Sequence, residues 1–144
     1  MHAGLLADQT SLANGVTIVR LSLHVLAASV WVGGQFVLAG LLPTVRGLGD
    51  SAPRQVANAF AKLSWPAFWV LAATGLWNYA AVSPSHATYS WKVVFMVKMV
   101  CVVLAGVGTV VHSRAKAPKT KGMYAGIASL ASVAALVLGV ALTG

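Results

Sequence analysis

His24 and Lys98 carry the most chemistry in this chain. Each stands inside a long apolar run, His24 in the stretch from Arg20 to Gln35 and Lys98 between Val97 and Met99. An ionisable side chain at membrane depth costs at least ~2.5 kcal/mol, so it marks a functional site by default. A neutral imidazole is the commonest protein ligand for metals and an axial ligand for haem. An amine taken out of water can hold an anionic group, ligate a metal or accept a proton. The chain has only two acids, Asp8 and Asp50, and neither lies in an apolar run. Lys98 therefore has room for an anionic ligand such as a porphyrin propionate or a lipid phosphate.

Other residues could complete a site. Arg20 and Thr74 are candidate supporting groups beside His24 and Lys98. Met99 and Cys101 are possible additional metal ligands, because soft sulfur selects copper(I). Met96 shares a face with Met99, whereas Cys101 lies about a third of a turn or more from each. Gln35 and Asn78 read as structural partners in interhelical hydrogen bonds. Competing structural roles stand beside each assignment. His24 could simply bond a carbonyl or hydroxyl, and Lys98 and Arg20 could snorkel along their stems to the interface. His112 falls one residue from a basic loop, more than ~15 Å from His24 along a helical bundle, and reads as interfacial. His2 and His86 read as solvent residues.

Long membrane helices must position these groups. The chain has 144 residues, 58% hydrophobic and only 8% charged. A soluble domain carries roughly 25% charged residues, so the polar surface for one is missing. Apolar runs of ~20 residues cross a bilayer as helices. Four are expected, at about 16–42, 57–82, 90–113 and 122–142, forming one transmembrane domain over residues 1–144. Pro43 should follow the end of the first, and Pro66 should kink the second near Lys62–Ser64. Gly122, Gly126, Ser129 and Ser132 should let the fourth pack closely. The first residues lack the basic start of a signal peptide, so the first run should remain as a span.

Cations set the orientation. Arg46, Arg54 and Lys62 flank the first connection, and Arg114, Lys116, Lys119 and Lys121 fill the third. The positive-inside rule makes both connections cytoplasmic and both termini external. Trp77, Tyr79, Tyr89 and Trp91 then mark the outer interface, Trp65 and Tyr124 the inner one. The net charge of +8 is accounted for by these loops, so nucleic acid is not expected as a partner. Counting from the helix starts puts His24 about 12 Å below the outer end, with Lys98 and Thr74 at similar depth. On the first helix, Arg20, His24, Ala28, Trp31 and Gln35 follow one stripe.

Four features together resemble the copper-resistance protein D (CopD) family of membrane proteins. They are His24 followed by Trp31-Val-Gly-Gly34, Thr74-Gly75-Leu76, Lys98, and the basic turn His112-Ser-Arg114. The resemblance covers roughly Arg20–Arg114. More distantly, Pro66-Ala67 before Thr74-Gly75, and Trp91 before Lys98, resemble the HemJ-type protoporphyrinogen oxidases, which look like b-type haem binders. The arginine-rich end of their first helix has only a loose counterpart in Leu41–Arg46, and Gly33-Gly34 fits CopD better. The first resemblance implies copper uptake or tolerance, the second haem-dependent oxidation.

The expected protein is thus an all-α, integral membrane antiparallel bundle of four transmembrane helices. Its leading function is copper binding or transport at an outer-facing His/Lys site, with His24 the metal ligand and no catalytic residue assigned. Haem b is the alternative cofactor, within a HemJ-like oxidase. A third reading is an accessory subunit of a larger membrane complex. The expected partners are membrane lipids and a larger complex or a second copy of the chain. The expected location is a bacterial inner membrane.

Overall fold

Side-chain caps start two of the helices. Asn14 accepts the Thr17 N–H at 2.9 Å and Thr88 accepts the Trp91 N–H at 3.2 Å, each satisfying a donor that the first turn leaves orphaned. The computed structural model describes residues 12–83 and 85–143, and its regular structure is entirely helical. His2 and Asp8 lie outside the described residues. Helix α1 runs Gly15–Gly47. It is interrupted by one π turn, Ser29–Gly33. Helices α2 (Ala52–Ala81), α3 (Tyr89–Arg114) and α4 (Pro118–Ala141) follow.

Helix ends depart from the sequence expectation at the prolines. Helix α1 does not end near Leu42; it continues through Pro43 to Gly47. Helix α2 begins at Ala52 rather than near 57, with Pro53 in its first turn. There the missing N–H has no intrahelical partner to lose. The polar connection expected over 44–55 contracts to Leu48–Ser51. Pro118 opens α4 in the same way, ahead of Gly122. Helix α2 stays continuous through Pro66.

The four helices alternate in direction. Helices α3 and α4 form the most extensive contact, and α1 lies along α2. The α3–α4 contact is close because Gly108 lacks a side chain. A Cβ there would stand 3.2 Å from the Ala128 Cβ and 3.3 Å from both Ala128 N and the Tyr124 carbonyl. The small residues of α4 that are buried are Ala128, Ala131, Ser132 and Ala135. Gly122 and Gly126 instead face open space, a correction to their expected packing role. They project from a different side of the helix than the alanine stripe.

The core is aromatic. Trp31 is 3% exposed and meets Phe68 at a centroid distance of 4.7 Å and Trp65 at 5.8 Å. Val32 belongs to the same cluster, with Leu71, Val102 and Val133 packed around it. Trp65 is partly buried against this cluster, held by its edge-to-face contacts with Trp31 and Phe68. The outside is apolar: Leu130, Trp69 and Val140 are 74%, 65% and 66% exposed. Helices α1, α3 and α4 are each long and apolar enough to cross a membrane. Helix α2 is longer than needed but carries Arg54 and Lys62 near its start.

Candidate functional site

Three helix pairings place the polar residues at one level. His24 of α1 meets Thr74 of α2. Trp31 and Gln35 of α1 meet Ser132 and Ser129 of α4, an antiparallel register that carries His24 to the level of Gly139. Lys98 of α3 reaches Gly139 from the other side: a Cβ on Gly139 would lie 3.0 Å from Lys98 Nζ. His24, Thr74, Lys98 and Gly139 thus share one layer, about a third of the way along the bundle from the start of α1.

Thr74 determines which imidazole nitrogen is free. Its Oγ1 lies 2.7 Å from the Val70 carbonyl, 3.2 Å from the Leu71 carbonyl and 2.8 Å from His24 Nδ1. A hydroxyl has one proton and carbonyls only accept. The Thr74 proton goes to Val70, the shorter contact, so Oγ1 accepts from His24 Nδ1–H. This assignment comes from the hydrogen-bond network. It leaves Nε2 with an unused lone pair. The ring lies beside Gly75, where a Cβ would make an ordinary contact of 3.5 Å with His24 Cε1. A hydrogen bond from the remote ring nitrogen is the arrangement that fixes tautomer and orientation in metal-ligating histidines.

One turn nearer the start of α1, the same α1–α2 pairing sets Arg20 level with Asn78. Arg20 Nε and Asn78 Oδ1 are both buried and have no hydrogen-bond partner among the described residues. Beyond them, Tyr79, Trp91 and Phe95 stack, with Tyr79 and Phe95 4.4 Å apart. Trp91 Nε1 donates to the Leu142 carbonyl at 3.3 Å and ties α3 to the end of α4.

The sulfur candidates separate. Phe95, Met99, Val102 and Gly106 share one face of α3 by helical spacing. Phe95 stacks on Tyr79 and Phe68 lies against Gly106, so this face meets α2 and Met99 falls level with Thr74. Cys101 shares a face with Ala105 and Gly108, the side that packs on α4. Met96 is 62% exposed. Only Met99 is placed in the His24 layer. Among the described residues no group of three or more His, Cys, Asp or Glu side chains clusters as a metal site.

The single polar stripe expected on α1 is divided. His24 turns to α2, whereas Trp31 Nε1 donates to Ser132 Oγ at 3.0 Å and Gln35 bonds across to Ser129 at 3.0 Å. The π turn lies between them and adds a residue to the helical repeat, which rotates the following segment. Ser132 itself donates to the Ala128 carbonyl at 2.7 Å. The Trp31–Ser132–Gln35 network is a structural clasp between α1 and α4. His112 lies at the opposite end, where its Nδ1–H donates to the Lys121 carbonyl at 2.9 Å. His86 is exposed in the α2–α3 connection.

Sequence reasoning did not single out Gly139 or the π turn. Gly139 carried no signal of its own; only its level opposite Lys98 reveals it. Comparison with family models, with curated proteins and with solved structures finds no match to this chain.

Proposed function

We propose that the chain is a multi-pass protein of a bacterial inner membrane whose outer-facing layer binds copper through His24. The observation that carries this reading is the Thr74–His24 hydrogen bond, which occupies Nδ1 and leaves Nε2 free to ligate. Nitrogen and thioether donors suit copper(I), and Met99 shares the layer. Copper here is cargo held by a binding protein. No catalytic group is assigned. The resemblance to the CopD family favours the same ion.

Membrane insertion rests on solvent logic. Large apolar side chains cover the circumference, and water would not tolerate them as one contiguous surface. We take all four helices as spans, α2 included, its two cations falling within its first eleven residues. The end with Arg46, Arg54, Lys62, Arg114, Lys116, Lys119 and Lys121 faces the cytoplasm. The His24 layer then lies in the outer half, with both termini outside.

A specific observation favours haem b as the second reading. Lys98 shares the layer with His24, and haem iron needs only an axial ligand. His24 Nε2 would hold the iron and Lys98 a propionate, and the bound group would supply redox chemistry. The open Gly122/Gly126 face of α4 favours association with a larger complex or a second copy, which is compatible with either cofactor.

Competition of the detergent-purified protein against a copper(I) chelator tests the proposal. One equivalent of copper(I) should bind, and His24→Ala should remove it. Equal affinity in the variant overturns the copper reading. A Soret band in the purified protein, absent in His24→Ala, replaces copper with haem.

A further inference from the structure

The His24 layer contains more positive charge and more unmet hydrogen bonding than a metal ion would use. Lys98 carries its ammonium across to the α4 backbone, and it fits because residue 139 is glycine. Arg20 lies one turn away, about 6 Å along the bundle axis. Its Nε is a buried donor without a partner among the described residues, and Asn78 Oδ1, at the same level, is a buried acceptor without one. A buried donor or acceptor left without a partner is costly, more so when charged, and a ligand that supplies the partner removes that cost. Asp50 cannot neutralise the two cations, because it lies in the connection at the opposite end of α1.

A ligand that answers these groups needs oxyanion acceptors for Arg20 and Lys98 and a hydroxyl donor for Asn78. Glycerophosphate has both. The first part of α1, Gly15–Ala28, packs chiefly on α2, and α1 meets α4 chiefly through the π turn at Ser29–Gly33, so the start of α1 and the end of α4 touch little above that turn.

We propose that Arg20, Lys98 and Asn78 form a binding site for a glycerophosphate group, supplied either by an anionic phospholipid such as phosphatidylglycerol or by a soluble glycerol phosphate. The cations hold the phosphate and the Asn78 carbonyl accepts a glycerol hydroxyl. The site adjoins His24 and does not depend on a bound metal.

Native mass spectrometry of the detergent-purified full chain, titrated with phosphatidylglycerol or phosphatidylcholine, tests this. One phosphatidylglycerol should be retained in preference to phosphatidylcholine. Arg20→Gln and Lys98→Gln should each weaken it by about tenfold or more, the loss of one charge-assisted hydrogen bond. Lys92→Gln, which removes an exposed cation near the same end, should leave it unchanged. Asn78→Leu should reduce the preference for phosphatidylglycerol over phosphatidic acid. Displacement of the lipid by glycerol 3-phosphate identifies a soluble source; retention against it identifies the lipid. Equal affinity in Arg20→Gln and Lys98→Gln, or an equal loss in Lys92→Gln, overturns the proposal. Lys98→Arg keeps the charge and should keep binding, which separates lost affinity from misfolding. His24→Ala should retain the lipid, so failure of the copper reading and failure of this site are told apart.

Discussion

The Thr74 hydroxyl stands between the Val70 carbonyl at 2.7 Å and His24 Nδ1 at 2.8 Å, and its single proton can serve only one of them. Donation to the carbonyl makes Thr74 the acceptor for the imidazole and holds His24 in the tautomer with a free Nε2. The threonine thus acts on any ligand through the histidine. Thr74→Val keeps the shape and removes the acceptor. Copper(I) affinity should fall on the order of 10- to 100-fold, the usual effect of removing a second hydrogen-bonding partner from a ligating histidine. Thr74→Ser should restore most of it. Chelator competition reads both, and an unchanged affinity in Thr74→Val would show that the hydrogen bond does not orient the ligand.

Met99 and Met96 differ by one turn's neighbourhood but not in consequence for stability, so they separate ligation from packing. Met99 is on the α3 face that meets α2 at the level of Thr74, and Met96 is largely exposed. Met99→Leu should lower copper(I) affinity while Met96→Leu leaves it unchanged. Both should unfold within several degrees of the parent, since Leu and Met exchange at less than about 1.5 kcal/mol. Equal affinities would remove the thioether from the site.

Much of this arrangement follows from counting. Helix rise is fixed, so distance from a helix start gives depth, and His24, Thr74 and Lys98 fall in one layer on that ground alone. What counting misses depends on tertiary packing. The stripe through His24, Trp31 and Gln35 assumes an unbroken repeat of 3.6. The π turn breaks it where Trp31 fits between Trp65, Phe68 and Ser132, and nothing in the local residues specifies that slip. Pro43 predicts a helix end because its ring opposes helix continuation, yet α1 absorbs it. In α4 two small-residue faces compete on paper, Gly122/Gly126 and Ala128/Ala131/Ala135. Only the facing Gly108 decides which one packs.

That close approach gives a stability prediction. A side chain at position 108 meets the backbone of α4, which cannot swing aside as a flexible side chain could. Gly108→Val should destabilise the bundle by about 1–3 kcal/mol, the usual cost of overpacking. Gly126→Val meets open space and should change little. Thermal unfolding in detergent compares them, and equal midpoints would place the α3–α4 contact elsewhere.

The clasp between α1 and α4 can be weighed separately. Trp31→Phe removes the Nε1–H that reaches Ser132 at 3.0 Å and keeps an aromatic ring against Phe68. Ser132 retains its own bond to the Ala128 carbonyl, so its proton stays satisfied. The coupling between Trp31→Phe and Ser132→Ala should be about 0.6 kcal/mol, in the range of interhelical hydrogen bonds within membranes. A double-mutant cycle in detergent measures it. A coupling of zero would mean that the aromatic contacts alone hold the π turn in place.

Topology is testable with the chain's single cysteine removed. In a Cys101→Ala background, Ser85→Cys places a thiol in the α2–α3 connection and Lys119→Cys places one at the start of α4. In the proposed topology the excess of cations at the α4 start lies inside and the α2–α3 connection outside. A membrane-impermeant maleimide added to intact bacterial cells or spheroplasts should therefore label Ser85→Cys at once, and Lys119→Cys only after permeabilisation. The reverse pattern would invert the bundle and turn the His24 layer toward the cytoplasm. Labelling of both positions in intact cells would mean that the chain does not span the bilayer as an intact bundle.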